Sequence, residues 1–143
     1  MHYLFKVLLG IYLAFLALED IRKKTLHIIV LAAGTVFIPA IVLSEETDGL
    51  IISDNAIGLI PGAVFLLLSY VSRGQVGIGD GILILILGAA LGIGEIVILL
   101  TAALLLIALF SGIMLVCGKL KRKSTLPFIP FVFAGYVIAV LQI

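Results

Sequence analysis

The segment "GQVGIGDGILILILG" (74–88) places one carboxylate, Asp80, between glycines and directly before a long apolar run. Two more acids, Glu19 and Asp20, end the first apolar run of the chain. Two carboxylates a few ångströms apart can share one proton, and such a pair can activate a water for attack on a peptide carbonyl. One group acts as the base while the other protonates the carbonyl oxygen or the leaving amine. If the fold brings Asp20 and Asp80 together, the residue types predict this acid–base chemistry.

The composition is that of a membrane protein. The 143 residues are 64% hydrophobic and 12% charged, far from the usage of soluble domains. Apolar runs lie at about 3–18, 26–43, 56–71, 82–91, 96–117 and 126–141. They lack the alternation of barrel strands, and a crossing needs about 20 apolar residues. We therefore expect an all-α integral membrane protein, a bundle of six transmembrane helices forming one membrane-embedded domain over residues 1–143.

Charge distribution indicates that the short fourth run also crosses. If all six runs cross, eight of the nine basic residues fall on one side of the membrane. The positive-inside rule makes that side cytoplasmic. The fourth helix is then short and preceded by a glycine-rich loop, and both termini lie outside. Asp20, at the end of helix one, and Asp80, at the start of helix four, are expected at the same depth on the cytoplasmic face.

Each candidate residue also has a simpler interpretation. Asp80 can be the N-cap of the fourth helix, and Asp20 can be a solvated residue neutralised by the basic residues after it. Glu19 lies about 100° around the helix from Asp20 and is expected to face the loop or the lipid headgroups. His27 has no second histidine at ligand spacing, and Cys117 stands alone. No metal site is predicted.

Three motifs together resemble the type IV prepilin peptidases. They are "LEDIRKKTL" with Asp20, "VGIGDG" with a GxGD pattern that ends at Asp80, and "LPFIPF" at 126–131. Their order and spacing are similar to the family over nearly the whole chain. The resemblance implies a six-helix GxGD membrane aspartic protease without a cofactor, in which Asp20 and Asp80 are the catalytic pair.

The resemblance also implies roles for the residues around the pair. Gly77 and Gly79 would shape the loop that lets Asp80 approach Asp20, and Pro127 and Pro130 would belong to a supporting element. The substrates would be prepilins or pseudopilins, cleaved at the cytoplasmic face of the cell membrane between a basic leader and an apolar helix. Glu19 would lie near the cations of that leader.

The chain differs from the usual family pattern at several points. It reads Leu-His-Ile at 26–28, Gly81 and Ile82 after the GxGD aspartate, and Ile129 in the last motif. The larger members carry a cytoplasmic insertion with paired cysteines and an N-methyltransferase activity, whereas Cys117 is the sole cysteine here. The chain thus resembles the short, peptidase-only form.

Two other functional classes stay open from the residues alone. An acid at the membrane edge on a short helix flanked by glycines is also typical of transport sites, so a small proton-coupled transporter is one alternative. The other is a catalytically dead assembly factor of the same fold. Nucleic acid is not an expected partner, because no basic stretch carries interleaved aromatic residues.

Overall fold

The computed structural model describes residues 2–23, 28–36, 49–73, 77–119 and 126–141. These ranges contain helices and turns and no strand, which confirms the all-α prediction. The helices are α1 (His2–Lys23), α2 (Ile28–Gly34), α3 (Gly49–Ile57), α4 (Leu59–Val71), α5 (Ile78–Val116) and α6 (Ile129–Leu141).

Within the described ranges, two helical stretches are long and apolar enough to cross a membrane. They are Ser53–Val71, which includes α4, and Ile78–Val116, which is α5. The shorter α6 is also apolar. The predicted fourth and fifth runs both lie within α5, on either side of a non-helical residue, Gly92.

A break near Gly58 separates α3 from α4. The cause is local, because Pro61 has no N–H to donate to the Ile57 carbonyl and its ring would clash with that carbonyl. Gly58 occupies the N-cap position of α4, and its N–H bonds to the Asp54 carbonyl at 2.9 Å. Pro61 is tolerated there because first-turn N–H groups have no partner within a helix.

A second break divides α5 at Gly92. Its φ of 79° and ψ of 172° are non-helical and lie in a region that only glycine adopts readily. The sequence predicts an interruption at "GIGE", and the structure has it at the first glycine of that segment. The first half of α5, 78–91, therefore rises only about 21 Å, and the second half, 93–116, runs in a new direction.

Glycines allow α4 and the first half of α5 to pack closely. A Cβ at Gly58 would overlap the backbone of Gly88, and a Cβ at Gly88 would overlap the backbone of Gly58. Gly62 lies in the same way against the backbone of Leu85. Small residues let helix backbones approach when lipid supplies no hydrophobic driving force. Gly58, Gly62 and Gly88 thus form the close contact between the two helices.

The core lies where α1, α5 and α6 meet. From α1, Leu9, Leu13 and Leu16 are fully buried, at the spacing that lines one face of a helix. Gly135 of α6 sits against the backbone of Leu99 in the second half of α5. The other buried members of this cluster are Ala17, Leu31, Leu83, Ile84, Leu87, Ala90, Ile96, Leu100, Ala103, Ile129, Val132, Tyr136 and Ala139.

Candidate active site

Asp20 continues the buried face of α1. It follows Leu9, Leu13 and Leu16 at the next helical spacing, so the periodicity that buries the leucines also turns Asp20 inward. The residue is 8% exposed. A buried carboxylate requires polar partners, because an unpaired one loses its hydration without compensation.

The start of α6 supplies one such partner. The backbone N–H of Ile129 donates a hydrogen bond to Oδ2 of Asp20 at 3.3 Å, in a buried setting. The first N–H groups of a helix have no partner within the helix and lie at its positive end, which attracts anions. The beginning of α6 therefore forms an anion-binding cradle for Asp20.

Asp80 lies in the first turn of α5 and not in the loop before it. The helix begins at Ile78, and Gly77 occupies the N-cap position with an extended backbone. No side chain caps this end, so the hypothesis that Asp80 is the N-cap is wrong. The predicted GxGD loop is thus replaced, from Ile78 onward, by helix. A carboxylate in a first turn still lies at the positive end of the helix.

Asp20 and Asp80 lie close enough for the charge of Asp20 to act on the carboxyl group of Asp80. Asp80 is half-buried and Asp20 is buried. The two groups come from helices that are 60 residues apart in sequence. Two apposed carboxylates with partial access to water are the arrangement needed to hold one shared proton and one attacking water.

The glycines of the GxGD motif lie around Asp80. A Cβ at Gly77 would come within 2.9 Å of Oδ2 of Asp80, so a side chain at Gly77 would displace the carboxylate. Gly79 lies within the first helical turn and is half-buried. A Cβ at Gly81 would meet the Leu66 side chain at 2.9 Å. Gly81 therefore has a packing role, since it lets the start of α5 approach α4.

Glu19 lies near a lysine of its own helix. Its Oε1 lies 3.8 Å from Nζ of Lys23, one helical turn later. Oε2 is buried and has no hydrogen-bond partner. Glu19 is thus a half-buried acid beside the pair, and part of its hydrogen-bonding capacity is unused.

The "LPFIPF" motif reaches the site through its backbone and one ring. Ile129 presents its N–H group to Asp20, and the Phe128 ring packs against Phe65 of α4 with centroids 6.0 Å apart. Pro130 lies in the first turn of α6, where the loss of an N–H costs little. The motif thus connects the Asp20 helix to the helix that packs beside Asp80.

The sequence analysis missed a polar cluster at the other end of the bundle. Nζ of Lys6 lies 2.7 Å from Oε1 of Glu95, with side chains 11% and 24% exposed. The Tyr136 hydroxyl donates to the Lys6 carbonyl at 2.7 Å. The available signal was one cation and one anion beside apolar runs, because such charges in membrane proteins pair with each other.

Some predicted features fall outside the described residues. His27 and the basic segment 121–123 are among them, as are the acids at 45, 46 and 48. In the ranges that are described, no three His, Cys, Asp or Glu side chains lie close enough to hold a metal ion.

Comparison with known proteins identifies no relative of this chain. No family model, no curated protein and no solved structure matches it. The likeness to the prepilin peptidases therefore rests on the three motifs, and the activity that it implies is a proposal.

Proposed function

We propose that this chain is a membrane aspartic endopeptidase that removes the basic leader from prepilin-like or pseudopilin substrates. The observation that carries the proposal is that a buried Asp20 and a half-buried Asp80, from separate helices, are near enough for their charges to interact. The cradle that α6 provides for Asp20 adds support, because a pair that activates water must be held in a defined geometry.

The reaction requires one ionised and one protonated carboxyl group. The ionised aspartate takes a proton from a water while the water oxygen bonds to the scissile carbonyl carbon, and the protonated aspartate gives its proton to the carbonyl oxygen. The resulting diol collapses when the amide nitrogen receives a proton and the C–N bond breaks. The products are a carboxylic acid and an amine, and the pair returns to its starting protonation.

The apolar surface of the described helices supports a location in the bilayer. Large apolar side chains are exposed along the described helices, among them Leu4, Ile11, Leu18, Leu67, Tyr70, Val71, Leu105, Leu109, Ile113 and Val116. Such a surface suits lipid better than water. We propose six crossings. The C-terminal end of α1 and the start of α5 lie at the cytoplasmic face, because this topology places eight of the nine basic residues inside.

Glu19 is the residue proposed to meet the leader. It precedes Asp20 in the chain, and its Oε1 lies 3.8 Å from Nζ of the exposed Lys23, so a cationic side chain from a substrate can replace Lys23 as the partner of this oxygen. An apolar substrate helix would remain in the bilayer while its cytoplasmic end unwinds over Asp20 and Asp80.

The decisive experiment is coexpression with candidate prepilin-like proteins, followed by mass spectrometry of the mature N-terminus. We expect a new N-terminus with the wild-type chain and none with Asp20→Asn or Asp80→Asn. A transporter would instead lose proton-coupled flux in these variants, and an assembly factor would keep both processing and assembly. Unchanged processing by folded variants would contradict the peptidase proposal.

A further inference from the structure

The Lys6–Glu95 ion pair joins the helix of Asp20 to the helix of Asp80 at the end far from the two aspartates. The two charges approach to 2.7 Å and are largely buried, and 89 residues of sequence separate them. The Tyr136 hydroxyl bonds to the carbonyl of Lys6 itself. Three helices, α1, α5 and α6, therefore converge on one polar cluster.

The ion pair and the aspartate pair are separated by nearly the same number of residues on both helices. Asp20 follows Lys6 by 14 residues, and Glu95 follows Asp80 by 15. Along the chain, α1 runs from the ion pair toward the aspartates, and α5 runs from the aspartates, through the bend at Gly92, toward the ion pair. Pairing at one end therefore brings the two carboxylates to a similar level at the other.

The break at Gly92 explains why such a tie is needed. Gly92 lies between Asp80 and Glu95 and has a non-helical backbone, so the continuous hydrogen-bond ladder that would hold the halves of α5 rigid is interrupted there. Glu95 lies three residues beyond the break. An ion pair at this point fixes the beginning of the second half of α5, to which the Asp80 segment is joined, against α1.

We propose that Lys6 and Glu95 are a positioning pair that sets the register of α1 against α5 and thereby the approach of Asp80 to Asp20. A buried charge pair suits this task, because a slip by one helical turn, about 5.4 Å, would leave both charges unpaired in a medium of low dielectric constant. Apolar contacts between leucines would tolerate such a slip. The pair acts through the two aspartates and does not touch the substrate.

A distance measurement tests the proposal without relying on peptidase activity. Asp20→Cys and Asp80→Cys are combined with Cys117→Ser, which removes the sole native cysteine, and cross-linking between the two new thiols is measured in membranes. We expect the yield to fall several-fold when Glu95→Gln or Lys6→Met is added. The exchanged pair, Lys6→Glu with Glu95→Lys, should restore it.

The matched control is Thr101→Val, on the exposed side of the same helix, where the hydroxyl bonds only to the Val97 carbonyl of its own helix. It should leave cross-linking unchanged. If a single variant does not fold, the exchanged pair carries the test by itself. Cross-linking that stays at the wild-type level in folded Glu95→Gln, or that stays low in a folded exchanged pair, would overturn the proposal.

The activity measurement rests on the proposed function. In chains that retain both aspartates, Glu95→Gln should lower kcat by about 10- to 100-fold, because small misplacements of reacting groups are costly. KM should change little, and the exchanged pair should recover kcat. A purely structural role would lower the amount of folded enzyme and leave kcat per folded molecule unchanged. If no substrate is cleaved, the proposed function fails, while the cross-linking result still decides the positioning role.

Discussion

The carboxylate of Asp20 accepts a hydrogen bond at 3.3 Å from the backbone N–H of Ile129, which lies 109 residues later in the chain. This contact joins the end of α1 to the beginning of α6. The Ile129 N–H has no acceptor within α6, and the buried carboxylate has lost its water, so one hydrogen bond satisfies both groups. Asp20 is thereby held beside Asp80 instead of turning toward bulk water.

Asp20→Asn and Asp80→Asn should each abolish cleavage. An amide keeps the size of the carboxyl group and can still accept the Ile129 N–H, but it cannot take up or release the required proton. General acid–base groups contribute about 10²- to 10⁴-fold each, and the double variant should be little worse than either single one. The measurement is the cleavage rate of a prepilin-like substrate by purified enzyme of verified fold.

Glu19→Gln is the matched control for this pair. The variant changes an adjacent acid on the same helix by the same chemistry. It should retain most of kcat because Glu19 lies near Lys23 and takes no part in the proposed proton transfers. If Glu19 contacts the leader, KM should rise with a basic leader and not with a neutral one. Loss of kcat in Glu19→Gln equal to that in Asp20→Asn would show that the catalytic residues are wrongly assigned.

Gly92→Ala should destabilise the fold by about 1–3 kcal/mol, because the backbone there lies in a region that other residues rarely adopt. Gly94→Ala, two residues later, is the control. A Cβ at Gly94 would meet no atom within 4 Å, and alanine in a helix interior is favoured over glycine by about 0.5–1 kcal/mol. The measurement is the unfolding free energy in detergent. Equal effects of the two substitutions would contradict the break at Gly92.

Gly88→Ala should loosen the contact between α4 and α5. The added methyl would overlap the carbonyl oxygen of Gly58, and overpacking of this kind costs about 1–3 kcal/mol. Gly112→Ala is the control, since a Cβ at Gly112 would meet no atom within 4 Å. Thermal unfolding of both variants checks the difference, and a Gly88→Ala protein as stable as Gly112→Ala would contradict the close packing of the two helices.

Cysteine labelling should place Arg22 and Lys121 on the cytoplasmic side and Glu46 on the other. The expectation follows from the eight-to-one distribution of basic residues under six crossings. Single cysteines at these positions, in a Cys117→Ser background, are tested with a membrane-impermeant thiol reagent in intact cells. If Arg22 and Lys121 are labelled from opposite sides, the fourth run does not cross.

The sequence by itself determined the all-helical class and the interruption after residue 91. Long apolar runs without alternation leave the helix as the structure that satisfies the backbone. The run 56–71 was predicted without a break, whereas the structure begins a new helix at Leu59, two residues before Pro61. The inward direction of Asp20 could also be read locally, since it continues the spacing of Leu9, Leu13 and Leu16.

Only the tertiary structure decided which groups meet. The Ile129 N–H on Asp20 and the pairing of Lys6 with Glu95 join segments that are 109 and 89 residues apart, and no local pattern encodes such partners. The sequence predicted a glycine-rich loop that ends at Asp80, whereas α5 already begins at Ile78. Glycines at 77 and 79 lower helix propensity, but contacts with α4 at Gly81 and Leu85 outweigh a local preference, because tertiary packing supplies most of the stability of a helix in a folded chain.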